Sequence, residues 1–358
     1  MNFALTSEQK AMQESLRRML DERCSARFLH TFIDEKKDYD APLWKLMCDL
    51  GIPGMAIPEA YGGLGLGVVD LALAAEMLGR AAAPVPLHAH WLAAYAIALS
   101  SDEGQRARWL PDLAEGRRIA TVALCEEQSR WMPETWELAA GANLEGAKLY
   151  VPCAASADLV VVGLAGGRLG VVDLRASGVT VERLPGIDRT RPMAHLRFSG
   201  AACELLAAPA DAASRMVDVG LAILAADAFG GASRCLDMAV EYAKVREQFG
   251  RKFGAFQALR HQLANLANEV EPCRGLYWFG AYAQENVPER ASHAASLAKA
   301  HIGSRFLEAA RNAIEYHGGI GFTWDFDCHI WLKRAMLDQA WLGNADLHYL
   351  RAAERAGW

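Results

Sequence analysis

Arg246-Glu-Gln-Phe-Gly-Arg-Lys-Phe-Gly-Ala-Phe-Gln257 is the stretch from which the rest of this chain is read. Gly250 and Gly254 close one helical pattern and open another. Glycine supplies the left-handed or tight backbone that a helix end needs. The expectation is a corner between helices, with an arginine and an amide at its rim. Such a corner suits a phosphate, because arginine offers a forked donor and the next helix start turns free N–H groups outward. The alternative is a plain helical turn with a solvated arginine.

Outward from the corner, Met216 to Val245 is a long apolar pattern studded with Ala225, Ala226, Gly230, Gly231 and Ala232. Small residues at helical spacing let helices approach closely inside a bundle. Three further helical stretches are expected at Phe256 to Ala283, His293 to His317 and Asp327 to Ala356. Upstream the character differs. Ile119 to Cys125, Ala157 to Gly163, Leu169 to Asp173, Val179 to Leu184 and Ala194 to Phe198 are short, β-branched runs of strand length. Before them the chain reads as helices, beginning at Thr6-Ser7 with Glu8 and Gln9 in the first turn. Helices, then strands, then helices imply separate lobes and not an alternating α/β sheet. The expected divisions are 1–117, 118–211 and 212–358.

Composition narrows the classes. Of 358 residues, 52% are apolar and 22% charged, and the net charge is −6. An acidic balance argues against a nucleic-acid surface. No apolar run long enough for a membrane span is read, and the N-terminus lacks the pattern of a signal peptide. The eight cysteines are scattered without a C-x-x-C pair, as expected of buried thiols in a reducing cytoplasm, and no metal site is expected.

Three motifs together resemble the acyl-CoA dehydrogenase family across nearly the whole chain. They are Arg246-Glu-Gln-Phe-Gly250 with Phe256-Gln257 and His261, the loop His317-Gly-Gly-Ile-Gly-Phe-Thr-Trp324, and Pro58-Glu-Ala-Tyr-Gly-Gly63 with Glu76-Met-Leu-Gly79. The resemblance implies an α+β multidomain fold: an N-terminal helical domain, a middle β-barrel or sandwich and a C-terminal four-helix bundle. It implies FAD as cofactor, an acyl-CoA thioester as substrate, and α,β-desaturation as the reaction. An electron-transfer flavoprotein is the implied electron acceptor. Arg246 would contact the FAD pyrophosphate and Gln257 the adenosine side. Gln248, Phe249, Phe256 and Glu315 would join them, and Gly318 and Gly319 would let backbone approach the cofactor. In the family this corner reaches a flavin held mainly by a neighbouring subunit.

The sequence also departs from the family pattern. The usual catalytic glutamate is replaced by Leu342 near the C-terminus, and its other known position aligns with Gly220. Neither residue accepts a proton. The family's Thr-Glu-Pro stretch is Cys125-Glu126-Glu127 here. The Trp-Ile-Thr segment that lies against the isoalloxazine aligns with Tyr150-Val151-Pro152, and Glu315 stands where a glutamine is usual. Other carboxylates near these places are Asp218, Asp227, Glu241, Asp325, Asp327 and Asp338, the last expected to pair with an arginine such as Arg334. Two readings follow from the resemblance. The favoured one is a glutamate-lacking subunit that completes a FAD site shared with a homologous partner in an α2β2 heterotetramer. The other is a self-sufficient homotetramer or homodimer with an unusual base. A flavoprotein of this fold with other chemistry is a third.

Overall fold

Helix α1 (Ser7–Arg23) begins on the capping box visible in the sequence. The Thr6 hydroxyl accepts from the Gln9 N–H at 3.2 Å, and the Gln9 side chain accepts from the Thr6 N–H at 3.1 Å. The structure is a computed structural model that describes residues 4–358. Residues 1–3, where the first expected domain and the reading of the N-terminus begin, lie outside the described residues. The first lobe continues through α2 (Ala26–Glu35), α3 (Ala41–Asp49), α4 (Val68–Ala81), α5 (Leu87–Ala98) and α6 (Glu103–Ala114).

Strands follow: β1 (Ala120–Ala123), β2 (Asn143–Pro152), β3 (Leu159–Leu164), β4 (Arg168–Asp173), β5 (Val179–Arg183), β6 (Met193–Ala202) and β7 (Glu204–Leu205). They form two sheets, ordered β1-β3-β4-β7 and β2-β6-β5. The pairings are antiparallel except β1 with β3. Neither sheet closes into a barrel among the described residues, so of the two expected β architectures only the two-sheet form remains. The ten-residue β2 is absent from the sequence reading, for a physical reason. Lys148, a charged residue, points inward there and pairs with the buried Glu126 at 2.7 Å, which breaks the apolar alternation.

The second helical lobe contains α7 (Ala212–Val245), the short hairpin β8 (Glu247–Gln248) with β9 (Arg251–Lys252), and α8 (Gln257–Val270). After these come α9 (Cys273–Asn286), α10 (Pro288–His317), α11 (Cys328–Ala340) and α12 (Ala345–Arg355). Two expected helices are therefore split. Phe256 to Ala283 breaks before Pro272, and Asp327 to Ala356 breaks at the turn through Leu342 and Gly343, both at positive φ. Helix α7 is apolar enough to be confused with a membrane span, but 94% of that apolar window is buried inside the protein.

Two glycines set the distance between α4 and α7. A Cβ at Gly79 would lie 1.9 Å from the Asp227 carbonyl oxygen, and one at Gly230 would lie 1.9 Å from that of Glu76. The helices touch backbone to backbone there. His90 on α5 joins this lobe to the first sheet. Its Nε2 donates to the Leu113 carbonyl at 3.1 Å and its Nδ1 accepts from the Ala120 N–H at 3.2 Å. Burial pushes its pKa from 6.5 down to about 4, so the ring is neutral in the fold.

Three outcomes are expected. Gly230→Ala overlaps backbone that cannot retreat, and urea unfolding should show a loss of about 3 kcal/mol. Gly275→Ala meets nothing within 4 Å and should gain about 0.5 kcal/mol by stiffening the unfolded chain. For His90, the unfolded state binds the proton first, so stability should fall as pH drops from about 6.5 towards 4. In His90→Gln, which keeps a donor and an acceptor, urea midpoints over that range should fall less steeply.

Candidate functional site

A cleft of about 450 Å³ opens where α7 ends. Tyr242, Arg246, Gln248, Phe253 and Phe256, then Ala258, Leu259 and Gln262 of the following helix, and Glu315 to Gly319 line it. The corner and the glycine-rich loop, about seventy residues apart in the chain, thus face one space. The corner is not a bare turn. Arg246 leaves α7 in extended conformation, β8 and β9 pair, and Phe249 and Gly250 make the hairpin tip with positive φ. The Phe253 N–H donates to the Arg246 carbonyl at 2.7 Å and pins the guanidinium-bearing residue at the hairpin base.

The donors suit an anion. Arg246 is exposed and makes no ion pair among the described residues. Helix α8 starts with no side-chain cap, so its first N–H groups lack intrahelical partners, and Ala258 and Leu259 of that first turn line the cleft. Gly318 has φ 66 and ψ −146, a conformation open essentially to glycine alone. A Cβ on Gly318 or Gly319 would meet nothing within 4 Å, so their backbone borders open space. The Tyr242 ring packs on His317 with centroids 4.3 Å apart, and His317 packs on Phe326 at the same distance, bracing the loop's entry.

Not every expected residue lies in the cleft. Phe249 is 90% exposed at the hairpin tip and stacks edge-on to Phe256. Gln257 and His261 are exposed on α8 and do not line it. Glu315 does line it, and its carboxylate is the one acidic group there. Sequence reading missed Tyr242 and Gln262. Tyr242 stands one helical turn before Arg246, and Gln262 one turn after Ala258, so helical spacing from the corner finds both.

Gly220 and Leu342, the two places where the resemblance leads a glutamate to be expected, meet in space. A Cβ at Gly220 of α7 would lie 2.9 Å from the Leu342 Cδ1 and 3.0 Å from Leu92. Leu342 is fully buried at φ 62. Its turn is nailed down from behind: Lys299 donates to the Gln339 and Gly343 carbonyls at 3.1 and 2.9 Å, and His348 donates to that of Leu342 at 2.8 Å. Burial lowers Lys299 to about 8 and His348 to about 3.

Most of the other candidate carboxylates are already partnered. Asp218 is paired with Arg351 at 2.7 Å and bonded by Ser292. Asp227 takes two bonds from Arg334, at 3.0 and 2.6 Å, and lies 3.2 Å from His88. Asp338 is bonded by Arg191, which arrives from the β5–β6 connection, and not by Arg334 as the sequence reading expected. Glu241 pairs with Lys244 on the surface, and Asp327 with His30 at 2.8 Å. Asp325 is exposed. Glu126 is engaged by Lys148 and by the N–H groups of Glu137 and Leu138. In the Asp227–Asp338 pair, burial and the neighbouring Asp227 charge raise Asp338, while Arg334, Arg191 and His88 overcome burial and hold Asp227 well below the usual range.

Comparison with known proteins follows this geometry. Residues 6–117 match the model of the acyl-CoA dehydrogenase N-terminal domain, and residues 211–357 that of the acyl-CoA dehydrogenase C-terminal domain. The acyl-CoA dehydrogenase IpdE2 of Mycobacterium tuberculosis is 30% identical, over 98% of each chain. Among solved structures, the Tcur3481-Tcur3483 steroid ACAD G363A variant superposes with a TM-score of 0.90 and 31% identity, covering 98% of both chains. The ChsE4-ChsE5 complex from M. tuberculosis gives 0.90 and 26%, covering 100% of this chain and 99% of that one.

Removing Arg334 strands an ionised Asp227 in the interior. Arg334→Met should cost about 3–5 kcal/mol in chemical denaturation. Arg246→Met, on the exposed rim, should leave stability within about 0.5 kcal/mol.

Proposed function

The chain belongs to the acyl-CoA dehydrogenase family, whose cofactor is FAD, and we propose that it is the base-lacking subunit of a heteromeric complex. In this reading it completes a FAD site shared with a homologous partner, and the partner carries the catalytic carboxylate. The observation that carries it is the contact of Leu342 with Gly220: both places for the base converge, and hydrocarbon fills the space between them. The reaction is α,β-desaturation of an acyl-CoA thioester, for which bound FAD supplies the hydride acceptor.

This chain's own residues bind and orient. Arg246 offers its guanidinium to the diphosphate, the uncapped start of α8 adds backbone N–H groups, and the Gly318–Gly319 backbone borders the cleft. Gln248 and Gln262 offer amides within the same cleft. A self-sufficient enzyme needs another base, and Asp218, Asp227, Asp327 and Asp338 are each already held by a cation or a histidine. Two similar structures support a shared assembly and a steroid-type acyl group, one by its description as a complex and the other as a steroid ACAD. Eight unpaired cysteines, seven of them buried, support a reducing cytoplasm as the place of action.

Co-expression with a homologous chain that retains the glutamate should yield a stable α2β2 complex with stoichiometric flavin, and Arg246→Ala should strip most of that flavin on gel filtration. Alone, the chain should retain little FAD and leave its visible absorbance unchanged on adding a steroid or straight-chain acyl-CoA. Rapid bleaching by the chain alone would sink the proposal.

A further inference from the structure

Pro152, in the segment that the resemblance aligns with the family's isoalloxazine contact, borders a space that the chain itself closes. Pro152, Cys153, Arg191 and Met193 bound it from the β lobe, Val85, Pro86, His88 and Ala89 from the first lobe, and Leu337 and Trp341 from α11. The remaining cavity is about 20 Å³. That is room for about one water, whereas pockets for cofactor-sized ligands run to roughly 300–1,000 Å³.

The closure is built in, not a side chain resting in a gap. Arg191 is buried and bonds Asp338, Asp188 at 3.3 Å and the Arg334 carbonyl at 3.5 Å, with Asp227 3.6 Å away. Asp188 is itself fixed by the Thr190 N–H at 2.8 Å and hydroxyl at 2.6 Å, and Arg334 bonds that same hydroxyl at 3.1 Å. Swinging Arg191 aside would leave buried carboxylates without their cation, which is strongly unfavourable. The edge also lacks free donors. Pro152 has no N–H, its carbonyl accepts from Thr121 at 2.6 Å, and the Cys153 N–H is spent on the Pro192 carbonyl at 2.8 Å. Tyr150 turns outward, 47% exposed, between Trp131 and His195.

We infer that this chain has no flavin-ring seat of its own beside Pro152: the Arg191 cluster fills that place, and the Arg246 cleft takes the adenosine-diphosphate half of FAD. The closed seat stands on its own geometry, while the role of the open cleft rests on the proposed function. A FAD held at Arg246 must then place its ring outside this chain, and a complex should carry one flavin for each pair of unlike chains.

The test uses the full-length chain, its fold verified by circular dichroism, titrated with ADP, FMN and FAD. Bound-flavin fluorescence is then quenched with iodide. ADP and FAD should bind within about threefold of each other, FMN should show no saturable binding, and iodide should quench bound FAD as readily as free flavin. Saturable FMN binding, or FAD binding more than tenfold tighter than ADP with its ring shielded from iodide, overturns the inference. If none of the three ligands binds, the closed seat stands and the Arg246 cleft reading fails. If ADP binds but Arg246→Ala binds it equally well, that reading fails as well, and the ring measurements still decide the seat.

Discussion

Asp227 is the point through which the three lobes are tied. Its side chain takes two bonds from Arg334 of the C-terminal helices, with Arg191 of the β lobe and His88 of the first lobe alongside. Its carbonyl oxygen marks the closest approach of α4, at Gly79. A fully buried carboxylate is tolerable only when cations surround it, so this one residue requires an arginine from each of two lobes. Burial by itself would raise Asp227, and the two guanidinium groups reverse that. Asp338, raised by burial and by the Asp227 charge, and Asp188 complete the set, so that buried acids and guanidinium groups balance one another around Arg191 and Arg334.

That balance has a chemical consequence. Acids in a desaturase site must be accessible and able to exchange a proton with substrate. Here Asp227 is spent on holding lobes together, Asp218, Glu126 and Asp188 are each engaged by a cation, and the space between the β lobe and α11 has become protein interior. The open, unspent donors lie elsewhere, at the end of α7, where Arg246 and an uncapped helix start face solvent. On the proposed reading, the cofactor corner is kept while packing takes the place of the base.

Much of this was legible in one dimension. The Arg246 to Gln257 stretch, the Gly318-Gly319 loop and the order of helices, strands and helices all show in the chain, because glycine spacing and hydrophobic period report local backbone directly. Leu342 and Gly220, at the places where the resemblance expects a glutamate, are legible too, as residue identity needs no coordinates. β2 stayed hidden because an inward lysine with a distant glutamate disguises its period. Phe249 and Gln257 sit in the right motif yet outside the cleft, since the hairpin tip and the helix's outer face turn them away.

The amino-acid sequence by itself determined the family, the lobe order and the presence of Leu342 and Gly220 where the resemblance expects a glutamate, all of which depend on residue identity and local spacing. Only the tertiary structure decided that Leu342 lies against Gly220, that Arg191 and not a neighbouring helix residue answers Asp338, and that the space beside Pro152 is shut. Those facts depend on which side chains from three remote segments come within hydrogen-bond or van der Waals reach, and no one-dimensional pattern encodes a distance between lobes.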